Sequence, residues 1–161
     1  MSGTPAGSGR LRIYVDTSVI GGCLDPEFEA ASRNLFSKFE SGEHVLVLSS
    51  VTVGELRNAP TAVQEVLNRV PDDHIERLQL TSEGERLAAL YLAAGVIPKR
   101  MTADAQHIAA ATLAEVDVLV SWNFKHVVNL LRIKGFNAVN LGSGLRPLEI
   151  RTPQEVVDDD D

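Results

Sequence analysis

Four short phrases carry the residue types in this chain that could do chemistry: Tyr14-Val15-Asp16-Thr17-Ser18, Val53-Gly54-Glu55-Leu56, Thr102-Ala103-Asp104-Ala105 and Ser121-Trp122-Asn123. Each sets one carboxylate, or in the last case an amide, at what reads as a strand end or a helix start. Strand ends on one edge of a parallel α/β sheet converge, so groups distant in sequence can share one crevice. Acidic oxygens gathered there repel one another, and a hard cation such as Mg²⁺ or Mn²⁺ relieves that repulsion. The pattern outlines a metal-dependent site that cleaves phosphodiesters.

Each residue also has an ordinary reading. Asp16 and Asn123 could cap the turns or helices that follow them, and Asp104 lies in a first helical turn, where the backbone dipole favours a negative charge. Glu55 could be a solvated helix residue. The apolar flanks argue otherwise: Asp16 follows Ile13 and Val15, Glu55 sits among Val51, Val53 and Leu56, and Asn123 follows Val118-Leu119-Val120. A polar group that ends a buried strand points into a crevice rather than into bulk water.

The elements that must position these groups alternate along the chain. Residues 11–15, 44–48, 75–80, 117–121, 136–141 and 148–151 read as strands. Helices are expected from Asp25-Pro26 to Gly42, from Ser49 or Ser50 to about residue 58, over 61–70, from Thr81 or Ser82 to 94, from a Thr102 cap through Leu113, and over 124–134. Alternation of this kind predicts a three-layer α/β/α sandwich with a mainly parallel central sheet. The many alanines after Asp104 imply a close approach of that helix to the sheet.

At 161 residues and 44% hydrophobic content, one domain with a substantial core is expected. Its boundaries are read as a disordered arm over 1–10, a domain over 11–153 and an acidic tail over 154–161. No run approaches the ~18 apolar residues of a membrane span, so a cytoplasmic protein with no membrane association is expected. Cys23 is the only cysteine, which excludes an intrachain disulfide and a zinc framework; it reads as a small buried residue. Of the formal charge of −7, Asp158 to Asp161 supply four, leaving −3 for the rest. Over 118–151, Lys125, Arg132, Lys134, Arg146 and Arg151 face Glu149 alone, so a basic region lies close to Asn123.

Taken in order, Val15-Asp16-Thr17-Ser18-Val19-Ile20, the segment 49–56 with its glutamate, Asp104-Ala105-x-His107-Ile108-Ala109-Ala110-Ala111 and Val120-Ser121-Trp122-Asn123 resemble a PIN domain. The likeness is to the small bacterial proteins similar to VapC toxins and covers about residues 11–141. It implies a Mg²⁺- or Mn²⁺-dependent endoribonuclease, leaving a 5′-phosphate and 3′-hydroxyl, with Asp16, Glu55 and Asp104 as catalytic metal ligands. Asn123 falls where the family has a fourth acid; its amide oxygen could bind the metal or its water but brings no charge, and on this reading Asn123→Asp should hold or raise the rate at limiting metal. Thr17 and Ser18 would orient the first acid or its water. Lys99, Arg100, Lys125, His126 and Arg132 are the candidates for contacts with RNA.

The resemblance further implies a cognate antitoxin and a homodimer. His107, three residues after Asp104, reads as a packing or hydrogen-bonding residue rather than a ligand, since Mg²⁺ prefers oxygen. Trp122 reads as core rather than as a base-stacking ring. A phosphatase of the haloacid-dehalogenase type needs a second aspartate two positions after the first, where this chain has Ser18. Gly21-Gly22 does not form a dinucleotide-binding loop. The rival reading is a PIN-like protein that binds RNA or a partner without cutting.

Overall fold

Strand-forming and helix-forming runs do alternate in the structure, a computed structural model that describes residues 9–157. Five strands, β1 (Arg12–Val15), β2 (Val45–Ser49), β3 (Ile75–Leu78), β4 (Val118–Val120) and β5 (Ile150–Arg151), form one sheet in the order β3-β2-β1-β4-β5. Every neighbouring pair is parallel; Tyr14 sits beside Val47 on one side and Leu119 on the other. The strand order reverses between β1 and β4, and the carboxyl ends of strands at such a reversal open a crevice.

Side chains alternate across a strand, so each strand feeds two cores. Ile13, Val15, Leu46, Leu48, Val118 and Val120 face one side. There they meet Val19 and Ile20 of α1 (Thr17–Gly22), Leu35, Phe36 and Phe39 of α2 (Glu29–Ser41), and Leu56 of α3 (Ser50–Leu56). Val66 of α4 (Thr61–Asn68) joins the same core. Tyr14, Val47, Leu119 and Ile150 face the other side, against Leu87, Ala88 and Tyr91 of α5 (Ser82–Ala93) and Ala105, Ile108 and Ala109 of α6 (Thr102–Leu113). Burial on both faces explains why Val45-Leu46-Val47-Leu48 is a continuous apolar run. The buried alanines of α6 let it approach the sheet closely, as expected. Among the described residues no helix is long and apolar enough to cross a membrane.

The structure departs from the sequence reading at several places. Residues 136–141 are not a strand: with 130–135 they form α7 (Leu130–Gly142), which packs Phe136 edge-on against Tyr91. Gly135 lies inside α7, where an added Cβ would come within 2.8 Å of Val96. Residues 124–129 are turns rather than helix, because Asn129 donates to the carbonyls of Phe124 and Lys125 and its side-chain oxygen caps α7 at Arg132. α1 was not among the expected helices, and the first position of α6 is Thr102, its hydroxyl donating to the Lys99 carbonyl, while Met101 stands at the cap. Ser49 and Thr81 do cap α3 and α5, each accepting a backbone amide hydrogen.

The carboxyl-terminal boundary also moves. α8 (Pro153–Val157) occupies the first positions of the expected tail and buries Val157 in the α2 core; residues 158–161 lie outside the described residues, as does the expected arm apart from Gly9 and Arg10.

Gly22 is fixed by close approach: a Cβ there would stand 2.7 Å from Ser32 Oγ and 2.8 Å from Trp122 Nε1, two atoms hydrogen-bonded to each other. Gly22→Ala should therefore destabilise the protein by about 1–3 kcal/mol despite the better helix propensity of alanine. Urea unfolding should show a lower midpoint with an unchanged slope.

Candidate active site

Asp16 is the residue that ends β1, and its backbone amide reaches the carbonyl of Val120 on β4. Only 5% of it is exposed, so its two oxygens need donors from the protein. Oδ1 accepts from Ser18 Oγ at 2.6 Å and Oδ2 from Ser121 Oγ at 2.5 Å. Both hydroxyls are aimed by backbone donors of the turn after β4: Trp122 N–H bonds Ser18 Oγ and Asn123 N–H bonds Ser121 Oγ, each at 2.9 Å. Burial nonetheless holds the Asp16 carboxyl above the usual range, against the opposing pull of the nearby His107 ring and the two serines.

Glu55 lies in the last turn of α3. Its Oε1 accepts from Thr17 Oγ1 and from His107 Nε2, both at 2.6 Å. Burial pushes this carboxyl up, but the bonds from His107 and Thr17 outweigh it and leave Glu55 below the usual range. Ser18 thus bonds the first acid, whereas Thr17 is turned to the second.

Asp104 sits in the first turn of α6, and its Oδ2 accepts from Asn123 Nδ2 at 3.3 Å. Burial first, then the negative charge of Asp16, raise its pKa; Glu55 adds to the rise and His107 opposes it. Asn123 is oriented unambiguously: its side-chain oxygen accepts from the backbone N–H of His126 at 2.9 Å, which only an oxygen can do. The amide nitrogen therefore faces Asp104. The expected ligand role of the Asn123 oxygen is replaced by capping of the 123–126 turn and donation to Asp104.

Asp16, Glu55 and Asp104 line one crevice of about 200 Å³ together with Thr17, Ser18, His107 and Asn123. A larger hollow of about 460 Å³ between α3 and α4 has a single acid, Asp72, against Arg57 and Arg77. Chemistry rather than size marks the site. Among the described residues no three acidic, histidine or cysteine side chains form a set that could hold a metal ion as they stand. Mg²⁺ does not need one: it keeps several waters and is commonly bound through one or two carboxylates. The donors are hard oxygens, and Asp104 is pushed up by its acidic neighbours, a repulsion that a cation relieves, so the residues fit a hydrated divalent ion.

The candidate RNA-contacting residues differ in exposure. Lys99 and Arg100 are exposed ahead of α6, and Lys125 is exposed in the turn after Asn123. Arg132 is half-buried, its guanidinium donating to the carbonyl of Val96. His126 is not on the surface: it is 5% exposed and its Nε2 has no hydrogen-bond partner. Its pKa is lowered by burial and then by the positive charges of Lys125, Arg132 and Arg100. Trp122 is a packing residue, stacked on Phe28 at 4.5 Å and donating from Nε1 to Ser32. Cys23 is buried, and burial pushes its thiol up to about 11, far from a reactive thiolate.

Three residues had no part in holding the acids in the sequence reading: Tyr14 and Ser121, which only flanked the chemical phrases, and Ser49, which was read as a helix cap alone. Their signal was available, since each is a hydroxyl in or at the end of an apolar strand, where a buried O–H needs a partner.

The fold is shared with several solved structures. The chain resembles the solved structure of VapC20 from Mycobacterium tuberculosis, described as a Sarcin-Ricin loop cleaving toxin, with a TM-score of 0.56 and 16% identity over 71% of this chain and 92% of that one. It resembles VapBC2 from Rickettsia felis, solved bound to a DNA fragment from its promoter, with a TM-score of 0.55 and 11% identity over 88% and 98% of the two chains. FitAcB from Neisseria gonorrhoeae gives a TM-score of 0.55 and 18% identity over the same shares, 88% and 98%. No family model and no curated protein matches the chain.

Two outcomes follow from the electrostatics. Because the folded-state pKa of Asp104 lies above its unfolded value, its ionisation opposes folding at neutral pH, and the cost disappears as pH falls through the raised pKa. Asp104→Asn should raise the unfolding midpoint of the metal-free protein at pH 7.5 by roughly 1–3 °C, after allowance for screening at the open mouth, with the gain shrinking as pH falls. Asn123→Asp replaces the donor facing Asp104 with a like charge. It should lower the metal-free midpoint and make that midpoint rise more steeply with Mn²⁺ than in the wild type, as read by calorimetric scans across a Mn²⁺ series.

Proposed function

We propose that the chain is a Mg²⁺- or Mn²⁺-dependent endoribonuclease acting in the cytoplasm as the toxin of a toxin–antitoxin pair. The observation that carries this reading is the convergence of Asp16, Glu55 and Asp104, from three separate elements, on one crevice at the carboxyl edge of the sheet. Asp16, Glu55 and Asp104 would hold the ion. When bound it would neutralise charge on phosphate oxygens and lower the pKa of a water. Ser18 and Ser121 hold Asp16, Thr17 and His107 hold Glu55, and Asn123 steadies Asp104, so the carboxylates are oriented before substrate arrives. Lys99, Arg100, Lys125 and Arg132 supply positive charge for the RNA backbone outside the acidic crevice. Similarity to VapBC2 and FitAB, each solved bound to a DNA fragment, supports an antitoxin as partner. A homodimer is part of the same proposal.

One observation favours a second reading, a PIN-like binder that does not cut: the Asn123 oxygen is engaged by His126 N–H and adds nothing to the acidic set. Incubation of the purified protein with structured RNA separates the two. Cutting should require Mg²⁺ or Mn²⁺, stop in EDTA, and fall at least a hundred-fold in Asp16→Asn and Asp104→Asn. Cutting that persists in both variants in EDTA would place the catalyst elsewhere, and RNA binding without cutting at any metal concentration would favour the binder.

A further inference from the structure

Beneath the acidic crevice runs a line of buried hydroxyl and imidazole groups that the site so far leaves unexplained. Tyr14 is fully buried on β1, and its Oη lies 2.7 Å from Ser49 Oγ, at the end of β2, and 2.6 Å from His107 Nδ1 on α6. The other ring nitrogen of His107 lies 2.6 Å from Glu55 Oε1. Four elements, β1, β2, α6 and α3, therefore meet in one hydrogen-bonded line that ends on a single carboxylate oxygen.

We infer that Tyr14 and His107 are positioning residues which, with Ser49, lock the carboxylate of Glu55 into the acidic crevice. A carboxylate only accepts, so both groups on its Oε1, Thr17 Oγ1 and His107 Nε2, donate to it. With one proton on the ring, that proton lies on Nε2 and Nδ1 is left to accept from the Tyr14 hydroxyl. The same hydroxyl oxygen stands within reach of Ser49 Oγ, which accepts the N–H of Val51 and starts α3. The tyrosine thus ties the helix that carries Glu55 to the ring that bonds Glu55. Held this way the ring also packs edge-on against Tyr14, with centroids 5.6 Å apart, and cannot rotate without breaking both bonds. Glu55 needs such a lock: it is 36% exposed on a short helix and would otherwise swing into solvent.

The consequence for a divalent ion rests on the nuclease reading; the lock itself does not. Two measurements on the full-length protein keep them apart. In the metal-free wild type, ¹⁵N spectra of the imidazoles should show His107 protonated at Nε2 with Nδ1 as acceptor, and Tyr14→Phe should shift the Nδ1 resonance. A His107 ring protonated on Nδ1, or one indifferent to Tyr14→Phe, overturns the lock. Mn²⁺ titrated calorimetrically without RNA should then bind about ten- to a hundred-fold more weakly to His107→Ala. His107→Gln, whose amide N–H can replace the Nε2 donor, should recover most of the loss, and Tyr14→Phe should lie between. Equal Mn²⁺ affinity in all three variants and the wild type, or equal loss in His107→Ala and His107→Gln, overturns the positioning role. If His107→Ala does not fold, Tyr14→Phe and His107→Gln carry the comparison. A wild type with the expected ¹⁵N pattern that binds no Mn²⁺ supports the lock and defeats the nuclease reading instead.

Discussion

Three carboxylates brought to the edge of a parallel sheet repel each other and lose solvent, and the rest of this molecule is arranged around that constraint. Such groups persist only where each is supplied with donors. The donors here come from different elements: Ser18 from α1 and Ser121 from the end of β4 for Asp16, Thr17 and His107 for Glu55, Asn123 for Asp104. The supply is unequal. Glu55 ends below the usual carboxylate range, whereas Asp16, fully enclosed, and Asp104, with a single long bond, end above it. A crevice whose acids are stabilised to different degrees is not an inert surface feature. It is a place where positive charge is wanted.

The sheet makes this arrangement possible through alternation. Ile13 and Val15 bury against α1 and α2 while Tyr14, between them, buries against α6. That single inversion sends the tyrosine hydroxyl to the α6 side, where His107 waits, and leaves Asp16 to emerge at the strand end. Ser49 does the equivalent work on β2, capping α3 with the same oxygen that approaches Tyr14. Core packing and site geometry are therefore one construction, and a change in strand register would lose both.

Much of the fold was legible in the sequence because the relevant signals are local. The apolar runs of β1, β2 and β4, the Ser49 and Thr81 caps and the alanines of α6 each act within a few residues. The errors arose where a local signal served a distant contact. Gly135 marks a close approach to Val96 inside α7, and Gly22 makes room for Ser32 and Trp122 inside α1. The phrases around Asp16, Glu55 and Asp104 were equally legible, since polar residues closing apolar runs stand out. His126, read as an RNA contact, is buried, and nothing in Phe124-Lys125-His126 distinguishes an inward from an outward imidazole.

The sequence by itself determined which residues are acidic, which elements carry them, and that alternating strands and helices would bring them to one edge. Only the tertiary structure decided how each polar group is used. It turned the Asn123 oxygen back to His126 and its nitrogen to Asp104, gave Thr17 to Glu55 rather than Asp16, and placed His107 between Tyr14 and Glu55. The reason is distance along the chain. Tyr14 and His107 are 93 residues apart and His107 and Glu55 are 52, so their hydrogen bonds exist only once both layers have packed on the sheet.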